Sequence, residues 1–429
     1  MTITHIVPGS GTAFYCENCL RDTALVKAQR CLGHAAVMAP LYLPFLDDAG
    51  RVSDNVPVFY GALNVYVSGT VPGASRLPRW LKRLLDAPPL LRWAASKAGS
   101  TSARNLEPLT LSMLRGEHGH QARELERLVA WLGSQVKPDV VHLSNALLLG
   151  LAGRIKEALG VPVVCSLQDE DTWIDAMSPA AARQAWDLMA RHANAVSLFT
   201  PVSRYYAEAM EPRLHIGHDR MRIVHPGIEL DGRPGAALDF DPPVIGYLSR
   251  LCPALGLGTL VDAFIALKRL PQLRRLKLRA TGGMVGSDAG FVRGLKRKLA
   301  AAGALGDAEV IPVFDKASRS AMMASLSVLS VPVGQPEAFG MFVLEALAAG
   351  VPVVEPCHGA FPEMIEATGG GITYDPAVAG GLETALSSLL LDPGRARALG
   401  ARGRAAVLQN FSIERMARSL IHVYQEIVP

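Results

Sequence analysis

The chain is poor in several things, and each shortage removes a class of protein. No apolar run approaches the ~18–20 residues needed to span a bilayer; residues 140–151 are apolar enough to be noticed but are broken by His142, Ser144 and Asn145. Charge is scarce: 19% of 429 residues are Asp, Glu, Lys or Arg, and the net charge is only +4. That is too slight and too spread for a nucleic-acid-binding protein, which shows a concentrated basic face. Cysteine is scarce too, six in all, and Cys31, Cys165, Cys252 and Cys357 stand in apolar contexts where a thiol acts as a small hydrophobe, so they are expected reduced. Met1 leads directly into the strand-like residues 3–7 without a basic segment, a long apolar stretch and a cleavage site. The expectation is a cytoplasmic protein, soluble or peripheral at a membrane, with no secretory signal.

What is present is an alternation. Short β-branched or apolar runs at 3–8, 35–41, 140–143, 161–167, 198–202 and 223–226 are separated by helical stretches, and the rhythm restarts at 244–251, 276–280, 309–313, 328–331, 351–355 and 372–374. Alternating β and α segments predict parallel sheets covered by helices. At this length two domains are expected, since single cores stop growing near ~250–300 residues. Residues 230–243, rich in Gly, Pro and Asp, read as the linker and put the boundary near Ala236. Residues 73–116 depart from the rhythm and read as a helical insertion. Within it 78–93 mixes Trp80, Lys82, Arg83, Arg92 and Trp93 with leucines, a composition that suits either a membrane-surface helix or, more commonly, a cover packed on its own domain.

The densest chemical signal lies between Val331 and Gly350. A strand ends near Pro332, a turn bearing Gly334 follows, and a helix is expected from about Gly340, carrying Glu337 in the loop and Glu345 inside the helix. In open parallel sheets ligands bind beyond the carboxyl ends of strands, where a helix start offers backbone N–H groups to phosphate. Ionised carboxylates accept hydrogen bonds from hydroxyls, so Glu337 and Glu345 suit the two ends of one hydroxyl-rich phosphate ligand.

These residues resemble the retaining glycosyltransferases of family 4. The resemblance rests on the Glu337-x7-Glu345 spacing, Phe339-Gly340, the run at 349–354 and Gly359-Ala-Phe-Pro-Glu363, and extends loosely to Gly9 and Gly11, Gly33-His34 and the closing segment 410–414. It implies the GT-B fold, two Rossmann-like domains facing across a cleft: an acceptor domain over 1–235, a donor domain over 236–411, and a last helix over 412–429 crossing back to the first domain. It implies transfer of a sugar from a nucleotide-diphosphate sugar with retention of configuration, without a metal or any further cofactor. By the same resemblance Glu337 and Arg250 are catalytic, Glu337 on the donor sugar and Arg250 on the diphosphate. Glu345 would hold the ribose, with Gly9, Gly11, Gly282, Gly283, Phe339, Gly340 and Met341 lining the donor and 359–363 closing the phosphate side.

One position departs from that pattern. Where the family has a second cation, a lysine before glycine, this chain has Leu255 before Gly256. Losing a charge that stabilises a leaving diphosphate costs transition-state energy unless another group supplies it, and Arg204 and Arg21 are the candidates. On the acceptor side Ser144 and Asn145 are expected as polar contacts, with His142 turned into the sheet. Asp169 and Asp171, in the acidic run after the strand at 161–167, suit either an acceptor hydroxyl or a solvated helix start. Cys16 and Cys19 have no second Cys pair to complete a zinc set and read as a structural pair, followed by Arg21 and Asp22 as candidates to line the cleft. Two rival functions share the architecture: a sugar-nucleotide-binding protein impaired by Leu255, and a sugar-nucleotide epimerase or phosphorylase, for which the sequence carries no motif.

Overall fold

A computed structural model describes residues 1–8, 17–42, 103–230, 235–311 and 316–428. Gly9, Gly11, Cys16, the stretch 78–93 and most of the expected insertion therefore lie outside the described residues. Residues 1–8, those described within Asn18–His225, and Glu414 onward form one compact unit; Pro226–Ile413 form a second.

The first unit contains β1 (Thr2–Val7), α1 (Glu17–Cys31), β2 (Ala35–Pro40), α2 (Glu107–Leu114), α3 (Ala122–Trp131), β3 (Val140–Leu143), α4 (Ala152–Leu159), β4 (Val163–Leu167), α5 (Glu170–Asp175), α6 (Pro179–His192), β5 (Leu198–Pro201) and α7 (Arg204–Leu214). Its sheet runs β2-β1-β3-β4-β5, with every pairing parallel. Strands buried on both faces need mostly apolar residues at consecutive positions, which is why 140–143 and 163–167 are predominantly apolar and are buried throughout. Punctuation is local: Ser203 caps α7 by accepting from the Tyr206 N–H at 3.0 Å, and Gly160, at φ +67°, ends α4 in the left-handed conformation.

The expected strand at 223–226 does not form. The chain runs beside β5, with the Arg222 and Val224 N–H groups donating to the Phe199 and Pro201 carbonyls, but only one bridge, Phe199 to Met221, is made. Pro201 has no N–H to return the next ladder bond, and the pairing stops there.

The second unit holds β6 (Val244–Leu248), α8 (Leu257–Leu267), β7 (Lys277–Thr281), α9 (Ala289–Ala301), β8 (Ala308–Ile311), α10 (Lys316–Ala324), β9 (Val328–Leu329), α11 (Met341–Ala348), β10 (Val353–Pro356), α12 (Phe361–Thr368), β11 (Gly371–Tyr374), α13 (Gly381–Leu390) and α14 (Pro393–Asn410). Its parallel sheet runs β11-β10-β9-β6-β7-β8. The units part after His225, ahead of Ala236, because the intervening segment is tied into the second unit: Ile228 donates to the Phe411 carbonyl and accepts from the Ile413 N–H, both at 3.0 Å, and Ala236 donates to Ala349.

The last helix, α15 (Ile413–Gln425), belongs from Glu414 onward to the first unit. Its Tyr424 hydroxyl lies 2.6 Å from His142 Nδ1, whose Nε2 meets the Ser166 hydroxyl at 2.8 Å. His5 stacks on His142, centroids 5.0 Å apart, and bonds Gln29. Burial, reinforced by the positive charge of neighbouring groups, holds the His142 pKa well below the usual imidazole range. This neutral imidazole, with both nitrogens occupied, is a core group.

The cysteines divide in a way the sequence did not suggest. All four described thiols are free; Cys165 and Cys252 are buried, but Cys31 closes α1 and Cys357 follows β10, and both are exposed.

Candidate functional site

In the second unit the chain winds outward from β6 through β7 to β8, then returns to the other side of β6 with β9, β10 and β11. The switch point, where ligands of open parallel sheets bind, therefore lies at the carboxyl ends of β6 and β9. Of the residues the sequence singled out, Arg250, Gly282, Gly283, Glu337, Phe339, Gly340, Met341 and Glu345 follow the carboxyl ends of β6, β7 and β9.

Arg250 follows β6 by two residues. Its guanidinium forks onto the buried carboxylate of Asp288, Nε to Oδ2 at 2.9 Å and Nη2 to Oδ1 at 3.1 Å, and Asp288 also accepts the Val285 N–H at 2.9 Å. Two parallel charged bonds fix the plane of the guanidinium. Gly282, at φ +143°, makes room for this arrangement: a Cβ there would collide with the Ser249 carbonyl, and Gly283 accepts the Leu251 N–H. The space glycine leaves at 282 is occupied by the protein's own backbone.

Leu255 ends a short 3-10 turn whose conformation is held by Tyr247, whose hydroxyl lies 3.1 Å from the Arg250 carbonyl and 3.0 Å from that of Leu255. At Gly256, φ +78°, a Cβ would strike the Pro332 carbonyl, so the start of α8 is pressed against the root of the loop that carries Glu337. Arg21, named as a substitute for the absent lysine, is committed elsewhere: it is buried in the first unit, forked onto Asp22 and bonded to Gln168. Arg204 is exposed at the start of α7 in that unit.

The loop 331–340 is held by Glu355 in β10 and by the segment that follows that strand. Glu355, fully buried, accepts the Val331 N–H at 3.2–3.3 Å. Ala360 donates to the Glu337 carbonyl at 3.0 Å. Gly359, at φ +62°, packs so closely that a Cβ would sit 2.6 Å from both the nitrogen and the oxygen of Glu337. Burial holds the Glu355 pKa well above the usual carboxylate range; the Val331 N–H opposes the shift and the negative charge of Glu337 adds to it. Burial thus favours the protonated form of Glu355, which lies beside a half-buried Glu337.

Gly340, at φ +86°, precedes α11, and among the described residues no side chain caps that helix. A Cβ at 340 would lie 2.8 Å from the Phe361 ring. All eight residues of α11 are buried, so its first-turn amides form a fixed positive end at the sheet's rim. One turn in, Glu345 is buried and faces Arg319 of α10, Oε1 to Nη1 at 3.5 Å. Sequence reading found Glu337, Glu345 and Arg250. It missed Asp288, Arg319 and Glu355; the one signal available for the last was a lone charge closing the apolar run 351–354.

The candidate acceptor residues lie at the carboxyl ends of β3 and β4 in the first unit. Ser144 donates through its N–H to Ile6 at 3.0 Å and accepts Gln168 Nε2 at 2.6 Å on its carbonyl. Its buried Oγ and the Oδ1 of Asn145 have no hydrogen-bond partner among the described residues. In the acidic run it is Glu170, which the sequence reading did not choose, that is sequestered: its carboxyl accepts the Ala146 and Gln168 N–H groups, both at 2.7 Å, and the Tyr206 hydroxyl at 2.8 Å. Burial pushes the Glu170 pKa up to about 8 against those bonds. Asp171 is within 2.9 Å of the same hydroxyl, and Asp169 sits at φ +54°, a conformation uncommon outside glycine, asparagine and aspartate. Among the described residues no three His, Cys, Asp or Glu side chains are grouped to hold a metal ion, and no helix is long and apolar enough to cross a membrane.

Comparison with known proteins bears on the fold. Residues 233–406 match the family described as Glycosyl transferases group 1, and residues 101–231 that described as Glycosyltransferase Family 4. The structure of sucrose-phosphate synthase from Thermosynechococcus elongatus superposes with a TM-score of 0.70 at 18% identity, covering 99% of each chain. The fold is GT-B. Two curated relatives are similar in sequence: the lipopolysaccharide core biosynthesis mannosyltransferase LpsB of Rhizobium meliloti, 31% identical over 49% of this chain and 60% of its own, and the GDP-mannose-dependent alpha-(1-6)-phosphatidylinositol monomannoside mannosyltransferase of Mycolicibacterium smegmatis, 30% identical over 52% of this chain and 60% of its own. The matched region spans about three fifths of these relatives. Within the GT-B fold the group 1 match covers the whole Arg250–Glu363 constellation.

Proposed function

We propose that the protein transfers a hexose from a nucleoside-diphosphate hexose to an acceptor hydroxyl, with retention of configuration and without a metal. The observation that carries this reading is the convergence, on the switch-point edge of one sheet, of an oriented guanidinium, a helix start and two carboxylates eight residues apart. Positive groups on that edge suit a diphosphate, and the carboxylates suit the hydroxyls at its two ends.

In the proposed step the bond between the sugar C1 and the β-phosphate oxygen breaks, and the acceptor oxygen bonds to C1 from the same face. The acceptor proton passes to the departing phosphate oxygen. Arg250, held in plane by Asp288, and the first-turn amides of α11 stabilise the charge growing on the diphosphate. Glu337 orients the sugar and supports the positive charge developing at C1. Glu345, paired with Arg319, holds the ribose. In the first unit Ser144 Oγ and Asn145 Oδ1, buried and unpartnered among the described residues, are the groups offered to the acceptor.

Calorimetric titration with GDP, UDP, ADP and their hexose conjugates tests the reading, beginning with GDP-mannose because both relatives above are named mannosyltransferases. One nucleotide should bind in the micromolar range and weaken about tenfold or more in Glu345→Ala, a loss of about 1.4 kcal/mol. Turnover should persist in EDTA. A folded protein that binds none of them would replace the transferase with an impaired scaffold, and Leu255 would be the reason.

A further inference from the structure

The charge of this chain is unevenly distributed. Between Asp262 and Ile311 stand ten lysines and arginines against four Asp and Glu, a surplus larger than the +4 of the whole protein. The four acids are all engaged. Asp262 pairs with Lys298, Asp307 with Lys268, Glu309 with Arg279, and Asp288 with Arg250. Arg269, Arg274, Lys277, Arg293, Lys296 and Arg297 are exposed and have no acidic partner among the described residues.

Their placement is not that of a randomly solvated surface. The β6-α8-β7-α9-β8 connection lays α8 and α9 side by side, locked by the Lys298–Asp262 pair. Arg293, Lys296 and Arg297 occupy one face of α9 at i, i+3 and i+4, opposite the buried Val292, Leu295 and Leu299. Like charges at those spacings repel and destabilise a helix. Cations at a helix carboxyl end are favoured by its dipole, which would account for Lys298 in the last turn and Arg269 just past α8. It does not account for Arg293, in the amino-terminal half of α9. Beside these charges two leucines stand open, Leu270 at 39% and Leu305 at 42% exposure, in the loops that lead into the amino ends of β7 and β8. That is the end of the sheet away from Arg250 and Glu337.

We infer that this face, the outer side of α9 with the loops at 268–276 and 302–307, docks on an anionic lipid bilayer. Clustered cations gain energy near a negative membrane surface and lose it within a Debye length, and the two leucines give the contact an apolar component that charge alone lacks. Single-stranded nucleic acid, the other polyanion, is recognised with stacked aromatics, and none is exposed among these charges. Docking here leaves the carboxyl-end edge of the same sheet to solvent. The inference does not depend on the transferase reading and is tested without turnover.

The experiment is co-sedimentation of the full chain with vesicles of mixed phosphatidylglycerol and phosphatidylcholine, and with phosphatidylcholine alone. The protein should pellet with the anionic vesicles only, and should be released as salt rises. The combined variant Arg269→Gln, Arg293→Gln, Lys296→Gln, Arg297→Gln should bind at least about tenfold more weakly; the smaller variant Lys296→Ala, Arg297→Ala, checked for an unchanged melting temperature, should lose a part of that. Leu270→Ser with Leu305→Ser should lower the fraction that resists salt. The proposal is overturned if the wild type stays in the supernatant, if the four-fold variant pellets like the wild type, which would move the contact to another segment such as 78–93, or if duplex DNA competes the protein off the vesicles at lower concentration than the vesicles bind it.

Discussion

Each of the two sheets places a buried carboxyl at its carboxyl-end rim, and the two are used differently. In the first unit Glu170 gathers three donors, from Ala146, Gln168 and Tyr206, so that the polar groups around it satisfy one another. In the second unit Glu355 has the single Val331 N–H, shared between both its oxygens, and lies close enough to Glu337 to feel its charge. The first rim is a finished network with two small polar atoms left over. The second is tightly built in its backbone and leaves its larger charged groups half-open, which is where binding energy for a ligand must come from. A rim that is already satisfied contributes stability; one that is not contributes function.

The largest expected effect tests the second rim. Glu337→Gln should lower kcat by about a hundredfold or more while leaving the melting temperature nearly unchanged, read by steady-state kinetics beside a thermal melt; a variant that melts early but turns over normally would invert the comparison. Glu170→Ala should behave in the opposite way, costing about 3 kcal/mol by stranding three buried donors, seen in urea unfolding, with nucleotide affinity unaltered in calorimetry. Next comes Gly359→Ala, where the new Cβ meets backbone at 2.6 Å and the φ of +62° is unfavourable for alanine. It should cost about 2 kcal/mol and raise the donor KM, because the displaced atoms are those of Glu337 itself.

A pH titration sharpens the contrast further. Glu170 titrates near 8 in the folded protein and near 4 when unfolded, so the native state binds the extra proton between those values. Its contribution to stability is complete below the unfolded value and is lost as pH rises through about 8. The melting temperature should therefore fall between pH 6 and pH 9, with a shallower slope in Glu170→Gln; an equal slope in both proteins would remove Glu170 as its source. The smallest effect belongs to Glu355→Gln. Since burial favours the protonated carboxyl, the amide should preserve stability within about 1 kcal/mol and retain most activity, whereas Glu355→Ala, which loses the clamp on Val331, should raise the donor KM. A loss in Glu355→Gln as large as in Glu355→Ala would show that the ionised form matters.

Much of this was readable before any coordinates. Parallel strands buried on both faces announce themselves as apolar runs, and the loop-helix spacing around Glu337 and Glu345 is a local pattern. What stayed hidden was pairing across long separations. Nothing near Arg250 in sequence points to Asp288, and nothing near Glu345 points to Arg319, because the partner is set by which strand lies beside which. The strand expected at 223–226 failed for the same reason: its own residues suit a strand, but its neighbour ends in Pro201. The acidic run at 169–171 read as either an acceptor contact or a solvated helix start and did not show which carboxylate is buried, since burial falls on Glu170 through the turn made at Asp169. Cys31 and Cys357 are exposed despite apolar neighbours in sequence, which say little about burial at the last residue of a helix or the first after a strand.

The bond between His142 and Tyr424 joins residues 282 positions apart, with all of Pro226–Ile413 synthesised between them. The sheet that is made first therefore waits for almost the whole chain before the imidazole at its centre has its second partner. During synthesis the second unit has all its residues while the first is still missing α15, so the order of completion is the reverse of the order of emergence. Removal of the residues from Glu414 onward would strand a nascent first domain with an open core, and it is this half of the molecule that a chaperone would be expected to hold.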